Sequence, residues 1–234
     1  MTRFRWLNAQ WSGSIRSLSS GLKSAAFNQD NSEGFVIDRV RDDFLEARYV
    51  ERIDYSDSIT DPFGNELVFP RVEFRQCEFV VSQRRASLEL IDPPRNIQGM
   101  LSRLAIATDF TLSISPLKVD VLAWAGILQS TIESEVAVDS LQVGSVELSQ
   151  DVRAKIIVKG RVDVRNAASS FLGARRYSLE KIQLRIKAPF NGTVLLSDVG
   201  VAKVDLERKD EFVLRLRASL DQLLASDHKN KKSM

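Results

Sequence analysis

Residues 152–187 read VRAKIIVKGRVDVRNAASSFLGARRYSLEKIQLRIK, and two parts of this stretch alternate with the two-residue period of a half-buried strand. In the first, Ala154, Ile156, Val158 and Val162 fall on one side and Arg153, Lys155, Lys159 and Arg161 on the other. In the second, Ile182, Leu184 and Ile186 oppose Lys181, Gln183, Arg185 and Lys187. Each strand therefore offers an apolar face to a core and a cationic face to something else. Between them, Asp163 is placed to cap a helix over 164–176 that turns Ala167, Ala168, Phe171 and Leu172 inward. With Arg165, Arg175 and Arg176 the stretch holds ten basic residues against only Asp163 and Glu180, within a chain of formal net charge +2. If the two strands are neighbours, about 4.8 Å apart, their cations crowd one small surface and call for an anionic counterpart.

Towards the C-terminus, Pro189-Phe190-Asn191-Gly192 predicts a turn onto a strand over 193–206 that is apolar on both sides. A helix over 207–225 and a flexible polar tail over 226–234 follow. Towards the N-terminus, 137–148 alternates as a strand, and Val121, Trp124, Leu128 and Ile132 fit a helix ending near Ser134. Residues 110–115 read as a strand, and Ile97, Met100, Leu101, Leu104 and Ala105 predict a helix over 95–108. A strand over 87–91 comes before it. Residues 49–60 and 67–81 predict a hairpin closed by Asp61-Pro62-Phe63-Gly64-Asn65. Ile37, Val40, Phe44 and Ala47 recur at helical spacing and predict a short helix up to Arg48. Hairpins this frequent imply an α+β fold with a mostly antiparallel sheet and helices packed on one side. The order strand, strand, helix, strand recurs over 71–115 and 137–188, with Arg95-Asn96 and Arg165-Asn166 opening the two helices, which suggests a diverged duplication.

Residues 1–29 predict something separate from the domain over 35–225. Phe4, Leu7, Trp11, Ile15, Leu18 and Leu22 lie within one arc at helical spacing, so the segment reads as an amphipathic N-terminal helical arm, weakened by Gly13 and Gly21. It is basic and free of acid, with Arg3, Arg5, Arg16 and Lys23, and the polar stretch NQDNSEG over 28–34 marks its boundary. Such an arm docks on the protein's own core or a neighbouring subunit, lies in a membrane interface, or serves as an import presequence.

Composition excludes much chemistry. At 234 residues, 44% hydrophobic and 27% charged, the chain is globular, and no apolar run approaches the roughly 20 residues of a bilayer span. Cys77 is the only cysteine and His228 the only histidine, so internal disulfides, ordinary Cys/His zinc sites and histidine triads are ruled out. Gly160 and Gly173 stand alone, without a phosphate-cradling loop. Ser178 and Lys181 have the spacing of a Ser-x-x-Lys dyad but sit in alternating strand, where they cannot meet. Asp198, Asp205, Glu207 and Lys209 match the acids and lysine of a metal-dependent nuclease, although a carboxylate at a strand-to-helix junction is equally a plain capping charge. No cofactor and no resident metal are expected.

The functional expectation follows from segregated charge. Residues 30–66 are acidic, opposite in sign to 1–29 and 152–187, so the chain could associate with itself, basic face to acidic face, or meet two partners. The favoured reading is a non-catalytic binding or assembly protein. Its basic face, formed by Arg153, Lys155, Lys159, Arg161, Arg175, Arg176, Lys181, Arg185 and Lys187, meets an anionic partner. Nucleic-acid backbone is the first candidate, without sequence preference, because Tyr177 alone offers a stacking ring near that face. The alternatives are a peripheral membrane protein inserting the N-terminal arm and the metal-dependent nuclease. A single unpaired cysteine fits a reducing cytoplasmic setting, with organelle import or membrane contact through residues 1–27 as the other possibilities.

Overall fold

In the computed structural model the backbone is described over residues 1–232 and the side chains over residues 1–226. The elements are β1 (Thr2–Gln10), α1 (Ile15–Ser24), β2 (Glu33–Val40), β3 (Phe44–Thr60), β4 (Glu66–Ser82), β5 (Leu88–Ile91), α2 (Gln98–Ala107), β6 (Ser113–Pro116), α3 (Val121–Ser130), β7 (Val136–Ser149), β8 (Val152–Lys159), α4 (Arg165–Leu172), β9 (Tyr177–Ile186), β10 (Gly192–Ser197), β11 (Val201–Leu206) and α5 (Lys209–Lys232). They form an α+β fold with a large antiparallel sheet. The chain divides into two compact units, one made of residues 1–9, 84–89 and 114 onward, the other of 10–83 and 90–113. The tail expected over 226–234 is helical as far as Lys232. Residues 233–234, and the side chains from 227 on, His228 among them, lie outside the described residues.

In the first unit the strands run in the order β1, β11, β10, β9, β7, β8. One row across them shows why the sheet has a single core face: Phe4 pairs with Ala202, Ala202 with Leu196, Leu196 with Ile182, Ile182 with Leu141, and Leu141 with Val158. Helices cover that face. Trp124 of α3 meets Trp6 edge-on at 5.8 Å and donates its indole N–H to Ser219 Oγ of α5 at 3.0 Å. Leu172 of α4 packs with Val143 and Val146 of β7. Fully buried side chains of this size contribute about 1.5–3 kcal/mol each, so this layer dominates the unit's stability.

Two features of this unit differ from the sequence reading. The N-terminal segment is no helical arm: residues 2–10 are a strand whose Thr2, Phe4 and Trp6 are buried, and β1 pairs with β11 from Thr2↔Val204 to Arg5↔Val201. The alternation TRFRW carried that information, and the coincidental helical spacing of Phe4, Leu7 and Trp11 obscured it. Second, β8 and β9 are not neighbours. Each pairs antiparallel with β7, so they run parallel on its two sides, and α4 carries the chain across. A parallel pair needs such a crossover, whereas a hairpin does not. Val162, expected inward, is exposed in that connection, as is Phe171 on α4. In the two stretches read as a diverged duplication, β9 returns to β7 and β6 pairs with β1.

The second unit is the meander β2-β3-β4 with α1 and α2. Phe35 packs against Tyr49 and Phe79, and Leu45, Ala47, Cys77 and Val81 complete one buried face. The helix expected over 37–48 is instead the end of β2, a turn and the start of β3. Leu45, Ala47 and Tyr49 alternate inward there, and pairing partners override the accidental helical spacing. Helix α1 retains Ile15, Leu18 and Leu22 of the expected arm as buried residues. Its Ser14 side chain accepts from Ser17 N–H at 3.2 Å. Gly21 has a structural cause, since a Cβ there would lie 2.2 Å from the Ala107 carbonyl oxygen of α2. Of the stretch 28–34, residues 28–32 form a tight loop in which Asn28 Oδ1 accepts from the N–H groups of Asp30 and Asn31, and β2 begins at Glu33.

Candidate functional site

The face of the first unit's sheet opposite its helices is rich in cations. One row across it runs Arg3, Lys203, Leu195, Gln183, Ser140, Lys159, and the next runs Arg5, Val201, Ser197, Lys181, Gln142, Ile157. The rows span six strands, about 24 Å. Arg153, Lys155, Lys159 and Lys181 fall on this one face, as their alternation implies, but β7 holds the two basic strands roughly 10 Å apart. Ser140, Gln142 and Gly144 fill the space between. Arg3, Arg5 and Lys203 join the face through β1 and β11, a contribution visible in the sequence only once residues 2–10 are read as a strand.

The protein's own carboxylates neutralise part of this charge. Lys155 Nζ donates to Glu180 Oε2 at 2.7 Å, and Gln142 donates to the same oxygen at 2.6 Å. Glu180 reaches Lys155 by lying across β7 at Gly144, where a Cβ would sit 2.1 Å from its Oε1. Those two hydrogen bonds, that from Lys155 first, hold the Glu180 carboxyl below its ordinary range. Arg185 pairs at 2.8 Å with Asp139, which is only 5% exposed and whose Oδ1 has no hydrogen-bond partner. Lys187 pairs with Glu135 at 2.8 Å. The Arg175 guanidinium caps α4 through the carbonyls of Phe171 and Leu172. Among the described residues, Arg153, Lys159, Arg161, Arg176 and Lys181 have no carboxylate within 4.0 Å. Ile157 stands exposed between Lys155 and Lys159, and Leu148 and Val152 are exposed at the β7–β8 turn.

A second feature, in the other unit, was not singled out by composition. Strands β3 and β4 pair without a break from Phe44↔Ser82 to Thr60↔Glu66, yet burial stops at Val50 and Cys77. Just beyond that point Phe27 meets Phe74 edge-on at 6.1 Å, and from there the hairpin continues for about 25 Å with both faces in solvent. One face carries Ile59, Leu67 and Phe69, together with Tyr55 under the Arg71 guanidinium; the other carries Val68, Val72 and Phe74 beside Asp54, Ser56 and Ser58. Phe63 at the tip is 90% exposed. The tip is built by Asp61, whose carboxylate accepts the N–H groups of Phe63 and Asn65, both at 2.8 Å, and the Asn65 amide at 2.9 Å. The Asn65 contacts hold the Asp61 carboxyl below its usual range. Residues 53–70 contain Asp54, Asp57, Asp61 and Glu66 and no lysine or arginine.

Where the hairpin leaves its unit's core, an open cleft of about 510 Å³ is lined by Tyr49, Glu51, Arg75, Cys77, Arg95 and Met100, among others. The phenol of Tyr49 and the guanidinium of Arg103 both donate to Glu33. Burial pushes the Glu33 carboxyl up, but the two donors outweigh it and leave it below the ordinary value, while burial and the carboxylate together raise the Tyr49 phenol. Cys77 is buried.

The nuclease residues do not converge. Asp198 pairs with Lys118, Asp205 with the N-terminal ammonium at 3.2 Å, Glu207 with Asn191 at 2.9 Å and Lys209 with Thr2 at 3.1 Å. Asp205 lies opposite Thr193, so roughly 17 Å of strand separates it from Asp198. Among the described residues no three His, Cys, Asp or Glu side chains group to hold a metal, and no helix is long and apolar enough to cross a membrane. The arm residues proposed from the sequence are in cores: Phe4, Leu7, Ile15, Leu18 and Leu22 are buried, and Trp11 is partly so. No protein-family model matches this chain, and a search of the curated proteins finds no match.

Proposed function

We propose that this chain is a non-catalytic assembly protein that seats an acidic partner on the sheet face formed by β1, β11, β10, β9, β7 and β8. The observation that supports this most directly is the composition of the face. Among the described residues Lys159 and Lys181 form no ion pair within 4.0 Å, Lys181 acting on Glu180 only at longer range, while Arg153 lies opposite Glu147 in the register; between them are Ile157 and the neutral amides and hydroxyls of Gln142, Gln183 and Ser140. Unpaired cations set among apolar and neutral hydrogen-bonding groups suit a protein surface that is acidic and partly apolar. Polyanion affinity tests the reading. Wild type should be retained on heparin and eluted by salt, and Lys159→Glu with Lys181→Glu should elute markedly earlier; co-elution with wild type overturns the proposal. Neither lysine is in an internal ion pair, so the changes leave the fold intact.

A second reading, nucleic-acid backbone, draws on the same unpaired cations, since each phosphate neutralised releases counterions. It predicts binding to duplex or single-stranded DNA with a steep inverse salt dependence and no sequence preference, measured by fluorescence anisotropy. The absence of such binding would remove it while leaving the assembly reading in place.

A further inference from the structure

The exposed hairpin is costly to leave in water. A soluble chain seldom presents so many large apolar side chains on an ordered element, and such patches mark interaction surfaces. Its order is local: the Asp61 hydrogen bonds fix the turn and hold Phe63 out, so little conformational freedom is lost when it docks. Its charge narrows the partner. Asp54 and Asp57 are paired with Arg52 at 3.0 Å and Arg71 at 2.6 Å, so the acidity left over is at the tip, where Asp61 and Glu66 form no ion pair among the described residues; these repel phosphate backbones and anionic bilayers, and favour a basic surface with apolar gaps. The same chain displays such a surface on its other unit, with Lys159, Lys181 and Arg153 around Ile157.

We infer that residues 53–70 of one copy dock on the basic sheet face of a second copy, with Phe63, Leu67 and Phe69 meeting its apolar gaps and the tip carboxylates of Asp61 and Glu66 meeting Lys159 and Lys181. The inference rests on the assembly reading above and names its partner. The contact is head-to-tail: each copy that joins keeps one free hairpin and one free face, so association continues or closes into a ring rather than stopping at a symmetric pair. An element of this size gives a Kd on the order of micromolar.

Sedimentation equilibrium on the full chain tests it. Wild type should associate, more weakly as salt rises. Phe63→Ser with Phe69→Ser, both solvent-exposed and harmless to folding, should be monomeric, and so should Lys159→Glu with Lys181→Glu. Mixed, the two variants should form a one-to-one complex and nothing larger, because each retains the surface the other lacks. A monomeric wild type, or variants that do not complement each other, overturns the inference. If the lysine variant has meanwhile lost heparin retention, the assembly reading still stands; if it has not, that reading falls separately.

Discussion

Glu89 is the residue on which local sequence reasoning had least purchase. It lies in a strand, 6% exposed, and its carboxylate accepts the Trp6 indole N–H at 3.0 Å and two nitrogens of Arg217, the shorter contact at 2.6 Å. A charge so deeply buried is tolerable only because it is paired and hydrogen-bonded at once. Glu89→Ala leaves Arg217 unpaired and should cost about 3–5 kcal/mol, read from urea unfolding midpoints. Replacing Arg217 by leucine in the same background should recover part of that loss. Gly144 shows the reverse relation between a residue and its partners. Nothing in the alternating pattern asks for glycine there, and the reason is the Glu180 side chain lying over it.

Among the elements, α4 and the β3–β4 hairpin carried the most information that periodicity could not supply. Eight helical residues between two strands place those strands parallel, on either side of a third, and this separates cations that the sequence placed side by side. The hairpin was legible as a hairpin, turn included, but the depth at which its burial ends was not. Strand alternation looks alike whether the facing layer is present or missing. Because both faces of its outer half are solvated, that half contributes little to stability. Replacing 53–73 by Asn-Gly, a two-residue connection suited to joining Arg52 and Phe74, should change the unfolding free energy by less than about 1 kcal/mol and abolish self-association. Equal association by the shortened chain would remove the hairpin from the interface.

Across the whole molecule, several carboxylates sit below their ordinary ranges, and this sets the response to acid. Burial opposes the charged form at Glu33 and Asp163, but donors from Tyr49 and Arg103, and from Arg165, more than compensate, and Glu180 is held down by Lys155. For a lowered carboxyl the stabilisation is fully present above the unfolded value, 4.5 for glutamate and 3.8 for aspartate, and is lost as pH falls through the folded value. Urea midpoints should therefore be flat from neutral pH to about 5 and fall below about 4. Glu33→Gln should flatten that acid limb while lowering the plateau. Asp221 runs the other way: burial raises its carboxyl despite Arg84, so it weakens the fold as pH rises through the folded value, and Asp221→Asn should raise the midpoint at pH 7.

The sequence by itself determined the α+β class, the hairpin turns, the inward faces of β7 and β9, and the cationic outward faces of β8 and β9, because each depends on side-chain alternation within one short segment. Only the tertiary structure decided that residues 2–10 are a strand, that β7 parts the two basic strands, that Asp139, Glu135 and Glu180 neutralise three of the cations, and that the end of the β3–β4 hairpin is uncovered. Those outcomes turn on which distant segment comes to lie alongside, and pairing energy between strands is spent across the sheet rather than along the chain.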